Sequence, residues 1–461
     1  MPELPEVETV RRILDPIVKG ETISSIKIYR QKNILNDANY FVSSLIGETF
    51  TGVSRLGKYL IFHLTHEKAI ISHLRMEGKY FEGNIEENQF PHDIMRYEFH
   101  SGKTLRYNDV RTFGTIEFRY EKDLFTFPPL SSLALDPFSI SLDELEKSLQ
   151  KTHRPVKEAI MDQHIISGIG NIYTDETLFA ARINPLKKAN ALSEEEISSI
   201  LKESRRILTL AIKEGGSTIK SYHPKEGVSG LMQNELLVYG KYKSPCPRCS
   251  FPLKRIVING RGTTYCPLCQ KGDHPLIVGV TGPIASGKSE VSKYLEKKGY
   301  EHIDADKIVA SLYKEKSILK GVKKIFGKEA INTLGLNRDY CRKEIAKDVN
   351  KKTLLEKLVW PKVFEEIENE IHHSTAERIL LDVPLLIGSP LEKECDLIIY
   401  IEANKETQTE RLLKRGKDVA SSLKMNESFP RKEAKKAASL ILDGNGSVAS
   451  LQKKLASIPY L

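Results

Sequence analysis

Tyr265–Ser289 reads YCPLCQKGDHPLIVGVTGPIASGKS. The stretch ends one device and begins another. Cys266 and Cys269 complete a set opened by Cys246 and Cys249. Leu276–Val280 is a short apolar run rich in valine and isoleucine, the pattern of a buried parallel strand. It leads straight into GPIASGKS, Gly282–Ser289, and then into helical periodicity. Strand, GxxxxGKS and helix in that order form the context of a phosphate loop. The loop made by Gly282, Ile284, Ala285, Ser286, Gly287, Lys288 and Ser289 is expected to cradle the phosphates of ATP with Mg2+. Lys288 reaches the β- and γ-oxygens and Ser289 ligates the metal.

Upstream, CPRC, sixteen residues and CPLC give two CxxC knuckles. Four thiolates from Cys246, Cys249, Cys266 and Cys269 make a closed tetrahedral set, so one structural Zn2+ is expected. Lys254–Ile258 and Arg261–Tyr265 flank Asn259-Gly260, a strong hairpin signal. Arg261 then projects from the hairpin tip toward a groove or a phosphate, or simply into solvent.

The chain has 461 residues and a net charge of +9, room for two or three domains with a mild bias toward polyanionic partners. No apolar run approaches the roughly eighteen residues of a membrane span, so no membrane partner is expected. The N-terminus lacks the basic and apolar regions of a secretory signal. Six cysteines, four of them in CxxC pairs, fit metal binding in a reducing cytoplasm better than a disulfide framework. Nothing in the sequence indicates an oligomer.

The chain begins MPELPEVETVRR. Trimming of Met1 would leave Pro2 as a secondary amine, less basic than a lysine and so more often neutral near pH 7. Such an amine can attack a sugar C1′ and form an iminium. Glu3 beside it can donate or relay a proton. The plainer alternative is that both residues only start a helix. Val7, Val10, Leu14 and Ile17 recur at helical spacing. Strands are then expected at 22–29, 49–54, 59–65, 69–74, 95–100, 104–108 and 115–120, spaced as in an antiparallel sandwich. Lys58 opens one of these strands, where position alone favours the surface. Met76 in HLRMEGKY and Arg111 and Phe113 in RYNDVRTFG sit on loops. Apolar wedges beside an arginine can fill the gap left by an unstacked base, although core packing would explain either one alone. Helices follow at 157–163 and 171–181, joined by a glycine-containing turn. Asn171 is read as the N-cap of the second, whose free amides, with Lys157 nearby, would hold a DNA phosphate. Gly215–Thr218 reads as a polar loop able to close over a ligand.

Taken in order, MPELPEVETVRR, Lys58, RYNDVRTFG, GIGNIYTDE and GRGTTYCPLCQ resemble the bacterial formamidopyrimidine-DNA glycosylase family over residues 1 to about 272. The resemblance implies a β-sandwich at 1–130, a helical helix–two-turn–helix DNA-binding domain at 131–240 and a zinc finger at 241–272. It implies removal of oxidised purines from double-stranded DNA and nicking of the abasic strand. Pro2 is then the Schiff-base nucleophile and Glu3 a proton donor. Lys58 assists β-elimination and Arg261 δ-elimination. Met76, Arg111 and Phe113 fill the gap left by the flipped base, and His92, Arg111, Lys157 and Asn171 hold the DNA. The family's basic-His-Asp-His run departs to PHDIM, with Ile94 in place of the second histidine.

In the remainder, a strand at 300–303 ends in Asp304-Ala305-Asp306. Asp306 is placed to take a proton from an attacking hydroxyl and Asp304 to cap a helix. RILLDVPLL and DLIIYI add core strands, and Gln408, Arg411 and Arg415 share one helix face, as arginines that clamp phosphates do. With the phosphate loop and LNR (Leu336–Arg338), these motifs resemble dephospho-CoA kinase across 276–461. The resemblance implies an α/β domain with a parallel sheet that phosphorylates the ribose 3′-hydroxyl of dephospho-CoA, with Asp306 as base. The departures are Trp360-Pro361 for His-Pro, Lys424, Met425 and Ser428 for Arg-Ile-x-x-Gln, Ala438-Ser439 for Ala-Asp, and Pro283 and Ala285 for glycines. The alternative is a P-loop domain that only binds nucleotide or regulates DNA processing.

Overall fold

Eight short strands form the sandwich of the first body. The computed structural model describes residues 1–217, 230–272, 274–332, 335–416 and 418–461. Thr218 of the expected polar loop and Asp273 lie outside the described residues. The chain divides into two compact units: Met1–Tyr242 with Arg255–Cys266, and Lys243–Lys254 with Pro267–Leu461.

In the first unit, β1 (Ile23–Ile28), β2 (Phe50–Leu56), β3 (Tyr59–Leu64), β4 (Lys68–His73), β5 (Lys79–Asn84), β6 (Asp93–Phe99), β7 (Lys103–Asn108) and β8 (Thr115–Tyr120) make two antiparallel sheets. Their orders are β1-β6-β7-β5 and β2-β3-β4-β8. Period-two alternation sorts the side chains. Leu60, Phe62 and Leu64 of β3 join the core between the sheets, whereas Ile61 packs on the opposite face with Ala69, Ile71, Leu124 and Leu130. Strand β5 was not among those expected, because KYFEGN carries Glu82 and Gly83 and its burial thins toward one end. Helix α1 (Leu4–Val18) links two cores. Val7, Val10, Leu14 and Val18 enter the sandwich core, while Leu4 belongs to the core of the helical lobe. That lobe is built from α3 (Leu142–Gln150), α4 (Val156–Met161), α5 (Asn171–Ala180) and α6 (Glu194–Lys213), after α2 (Ala38–Leu45) of the sandwich. The short α7 (Met232–Glu235) follows. The hairpin β9 (Lys254–Ile258) and β10 (Arg261–Tyr265) has the expected bounds. Asn259 at φ +45° and Gly260 at φ +71° supply the two positive dihedrals of its turn.

In the second unit, β11 (Leu276–Thr281), β12 (Glu301–Asp304), β15 (Arg378–Asp382), β16 (Leu397–Glu402) and β17 (Leu440–Asp443) form a parallel sheet in the order β12-β15-β11-β16-β17. A two-residue pair, β13 (Ile331–Asn332) and β14 (Gly335–Leu336), stands apart from it. Helices are α8 (Lys288–Lys297), α9 (Ala305–Leu312), α10 (Lys316–Phe326), α11 (Arg338–Lys347), α12 (Val349–His373), α13 (Leu391–Glu394), α14 (Lys405–Lys414), α15 (Val419–Glu427), α16 (Arg431–Ala437) and α17 (Val448–Ala456). Register sets Val280 and Asp304 on either side of Asp382, so three strand ends converge where ligands bind in sheets of this kind.

Two candidate functional sites

The first site grows from the amino terminus. Glu3, extended at φ −102°, precedes α1 and is buried. One of its carboxylate oxygens accepts the Gly170 amide at 2.7 Å and the other the Ile172 amide at 2.9 Å. The N-cap of α5 is therefore Gly170, not Asn171. The orphan amides expected to receive a phosphate are met by a side chain 167 residues away in sequence. A Cβ on Gly170 would lie 2.5 Å from the Glu3 carboxyl carbon, so only glycine permits this approach. Released from capping, the Asn171 side chain donates from Nδ2 to the Gly262 carbonyl at 3.1 Å and fastens the β9–β10 hairpin to α5. The Thr264 amide, donating to Asp175 at 3.0 Å, is a second tie.

Lys58 is not on the surface as its position in the strand pattern favours. It is 5% exposed, and its ammonium donates to the Ile169 carbonyl at 2.8 Å. Burial lowers its pKa, with Glu3 and Glu6 opposing. Burial also lowers the pKa of the Met1 amino group, next to Pro2, and the same two carboxylates oppose that shift. Lys58 and Arg261 act on the Met1 amine in the direction that favours its neutral form. Four of the sequence candidates, Pro2, Glu3, Lys58 and Arg261, thus fall in one locality. Lys157 is buried and donates to Asp175 at 2.6 Å and to the Asn171 carbonyl at 3.0 Å. It lines a cleft with Arg154, Asp162, Asn259 and Arg261.

The loop candidates lie elsewhere on the sandwich. Met76 is partly exposed and Phe113 is 55% exposed, with the Arg111 guanidinium 5.2 Å from the Phe113 ring centroid. Neither side chain is core. Asp109, which was not singled out in the sequence, shapes this loop. Its carboxylate accepts the amides of Arg111 at 3.0 Å, Phe113 at 2.8 Å and Gly114 at 2.7 Å. Asn33 completes the frame by donating to the Gly114 carbonyl at 2.6 Å. The signal was present in RYNDVRTFG, since an aspartate opening a turn commonly binds amides further along. His92 is exposed at φ +68°. Ile94 is fully buried in the sandwich core, so an apolar residue suits that position. Glu6 was also missed. It accepts the Tyr173 hydroxyl at 2.6 Å and the Ser217 amide at 2.8 Å, and burial beside Glu3 raises its pKa.

The four cysteine sulfurs lie within 4.8 Å of one another, and those of Cys246 and Cys269 are 3.9 Å apart. A tetrahedron with Zn–S bonds of about 2.3 Å has edges of about 3.8 Å, so the set fits zinc.

The second site is the loop between β11 and α8. Gly282 (φ +155°) and Gly287 (φ +117°) carry the turns. Gly287 caps α8 without a side-chain partner for the first-turn amides, which suits an anion. The Ser286 hydroxyl is buried without a partner, an orphan that a phosphate oxygen can satisfy. The Lys288 ammonium rests on the carbonyls of Gly282 at 2.6 Å and Pro283 at 3.2 Å. Burial lowers its pKa, with Asp382 and Asp306 opposing. Ser289 is exposed. These residues fit a magnesium-bound nucleotide. Asp304 caps α9 through the Asp306 and Lys307 amides, as expected, which leaves the Asp306 carboxyl unneeded for the cap. Burial and its neighbours Asp304 and Asp382 raise the Asp306 pKa. Arg411 donates to the carbonyls of Ala285, Ser286, Gly444 and Gly446, whereas Arg415 is exposed at the end of α14.

The first unit is thus a sandwich and a helical lobe that carries the β9–β10 hairpin, and the second contains a P-loop α/β sheet. Family profiles match each part: the formamidopyrimidine-DNA glycosylase N-terminal domain at 1–116, its H2TH domain at 133–223, the zinc finger found in FPG and IleRS at 243–272, and dephospho-CoA kinase at 276–450. A formamidopyrimidine-DNA glycosylase of an Exiguobacterium species is 45% identical over 275 residues, 59% of this chain and 100% of that protein. One from Streptococcus mutans is 42% identical with the same coverage. Solved structures of the Lactococcus lactis Fpg, one with DNA containing Fapy-dG and one with DNA containing an abasic site, superpose with TM-scores of 0.56 at 38% identity, covering 59% of this chain and 100% of theirs. The chain belongs to the formamidopyrimidine-DNA glycosylase family and carries a dephospho-CoA kinase domain after the finger.

Proposed function

We propose that the chain is a bifunctional enzyme. Its first part excises oxidised purines, 8-oxoguanine and formamidopyrimidines, from duplex DNA and nicks the abasic strand. Its last part uses ATP to phosphorylate the 3′-hydroxyl of dephospho-CoA. We assign 1–130 to the glycosylase sandwich, 131–240 to its helical clamp, 241–272 to the finger and 276–461 to the kinase.

The observation that carries the glycosylase reading is the joint burial of Glu3 and Lys58 around the amino terminus. Once Met1 is removed, the Pro2 secondary amine attacks C1′ of the damaged nucleotide. The base departs with a proton, and an iminium joins Pro2 to the opened sugar. Glu3, held in place by the α5 amides, moves protons at the sugar. Lys58 and Arg261 serve the successive β- and δ-eliminations that release the strand ends. Met76, Arg111 and Phe113 enter the space vacated by the flipped nucleotide, which leaves most cheaply where damage has weakened its stacking. His92, Lys157 and Asn171 hold the strand, Lys157 and Asn171 partly by shaping the α4–α5 turn and the hairpin. Zinc supports the hairpin through its four cysteines.

In the kinase part, Mg2+ bound with ATP neutralises phosphate charge and would be held by Ser289. Lys288 and the amides at the start of α8 orient the phosphates, while Arg411 fixes the loop and Arg415 faces solvent beside it. Asp306, with its raised pKa, accepts the proton of the attacking hydroxyl. We place the protein in the cytoplasm, where four thiols stay reduced and zinc-ready. Among the described residues no helix is long and apolar enough to cross a membrane.

The test is one preparation assayed for both reactions. Borohydride trapping on an 8-oxoguanine duplex and ATP-dependent CoA formation are both expected. Absence of trapping sinks the first assignment, and absence of CoA formation the second.

A further inference from the structure

We propose that Asn426 is a positioning residue of the nucleotide site, a splint that sets the phosphate loop from outside it. The inference rests on reading that loop as an ATP site. Asn426 lies on α15, buried at 4% exposure. Its side chain holds both backbone groups of one loop residue: the Ile284 amide donates to Oδ1 at 2.7 Å, and Nδ2 donates to the Ile284 carbonyl at 3.1 Å. Nδ2 also donates to Gln408 Oε1 at 2.8 Å, and Gln408, fully buried on α14, donates to the Ala403 carbonyl at 2.7 Å. A relay of two side-chain amides thus ties the loop to the end of β16. Every polar atom of Asn426 is used, and no alternative rotamer keeps all three bonds.

Two features of the loop make the splint necessary. Pro283 has no amide to give, the Ile284 amide is spent on Asn426 and that of Ser286 turns to the Pro283 carbonyl at 3.2 Å, so the phosphate must be met by the Ala285 amide and those from Gly287 onward. Ala285 is held at φ +63°, in the left-handed region that a residue with a Cβ avoids. Such a conformation persists only where its surroundings over-determine it. Here Asn426 clamps the residue before it, and Arg411 takes the Ala285 carbonyl at 3.1 Å and that of Ser286 at 3.0 Å. Gly444 closes the far side, where a Cβ would lie 2.2 Å from the Ser286 carbonyl oxygen. Asn426 therefore keeps Ala285 strained and the following amides aimed.

The test compares full-length wild type, N426A and N426A/A285G. ATP binding is read by titration calorimetry, and KM values for both kinase substrates and thermal melting are measured alongside. N426A should weaken ATP binding about ten-fold or more, the scale of leaving buried polar groups unmatched. Its KM for ATP should rise with little change in KM for dephospho-CoA or in DNA nicking, beside a modest fall in melting temperature from the unmatched groups. Adding A285G should recover part of the ATP affinity, because glycine adopts the same φ without strain. Unchanged ATP binding in N426A overturns the proposal. So does an equal loss for both substrates with a lowered melting temperature, or no recovery in the double variant. If the wild type binds ATP but makes no CoA, the kinase reading fails while the splint is still judged by binding.

Discussion

The Glu3 carboxylate and the Gly170 amide, 2.7 Å apart, join the first turn of the chain to the first turn of α5. The contact makes the proposed acid of the reaction also the cap of the DNA-clamp helix. Replacing Glu3 by Gln leaves one carbonyl oxygen where the amides of Gly170, Ile172 and Tyr173 need acceptors, and sets an NH2 against at least one of them. E3Q should lose strand nicking and should destabilise the first unit by about 1–3 kcal/mol. Urea unfolding followed by a probe in the helical lobe checks the second effect. Wild-type stability in E3Q would separate the two roles.

Arg261 follows the turn of a hairpin held by Asn171 and Asp175. R261A should keep base excision and the first elimination while losing most of the second. Gel analysis of an end-labelled duplex should therefore show the aldehyde-ended product accumulating in place of the phosphate-ended one. A normal product ratio would remove Arg261 from the chemistry.

The four clustered thiols predict that chelation is costly to the same hairpin. Removing zinc, or making C266S, should abolish nicking, and re-adding zinc to the chelated wild type should restore it. Metal content and nicking are measured on the same samples. Full nicking by metal-free protein would contradict a structural role for the finger.

His73, at the end of β4 before the Met76 turn, is buried and its pKa is lowered to about 3 by burial, with Arg75 and Lys58 adding to the effect. Its Nδ1 accepts the Arg75 amide at 2.9 Å, which requires the neutral ring. The unfolded histidine titrates near 6.5. Between the two values the unfolded chain binds the extra proton, so stability rises with pH there. Acidification from pH 6.5 toward 4 should therefore destabilise the first unit, by up to about 1.4 kcal/mol per pH unit from this residue. H73N should flatten that slope in denaturation measured across the range, and an unaltered slope would refute the assignment.

Much of this architecture was legible because the patterns were local. Asn259-Gly260 fixed the hairpin to the residue, and LIVGV before GPIASGKS fixed the phosphate loop. The four cysteines declared their cluster by spacing alone. What escaped the sequence was long-range. Asn171 has the chemistry of an N-cap, but the cap came from Glu3, and no local rule links positions so far apart. Lys58 looked like a surface charge because its burial depends on the α4–α5 turn packing over it, with Ile169 as its partner. Strand β5 and strand β17 were missed because each is short and half exposed at an edge of its sheet. Asn426 lies where the kinase resemblance is weakest, so no motif pointed to it.

We propose that two separate chemistries share this chain, one made by the amino terminus and one by the phosphate loop. The most direct measurement assays P2G and K288A, as full-length proteins, for borohydride trapping on an 8-oxoguanine duplex and for ATP-dependent CoA formation. P2G should lose trapping and keep CoA formation, and K288A should do the reverse. Loss of both activities in either variant, or ATP hydrolysis stimulated by damaged DNA with no CoA formed by the wild type, would contradict it.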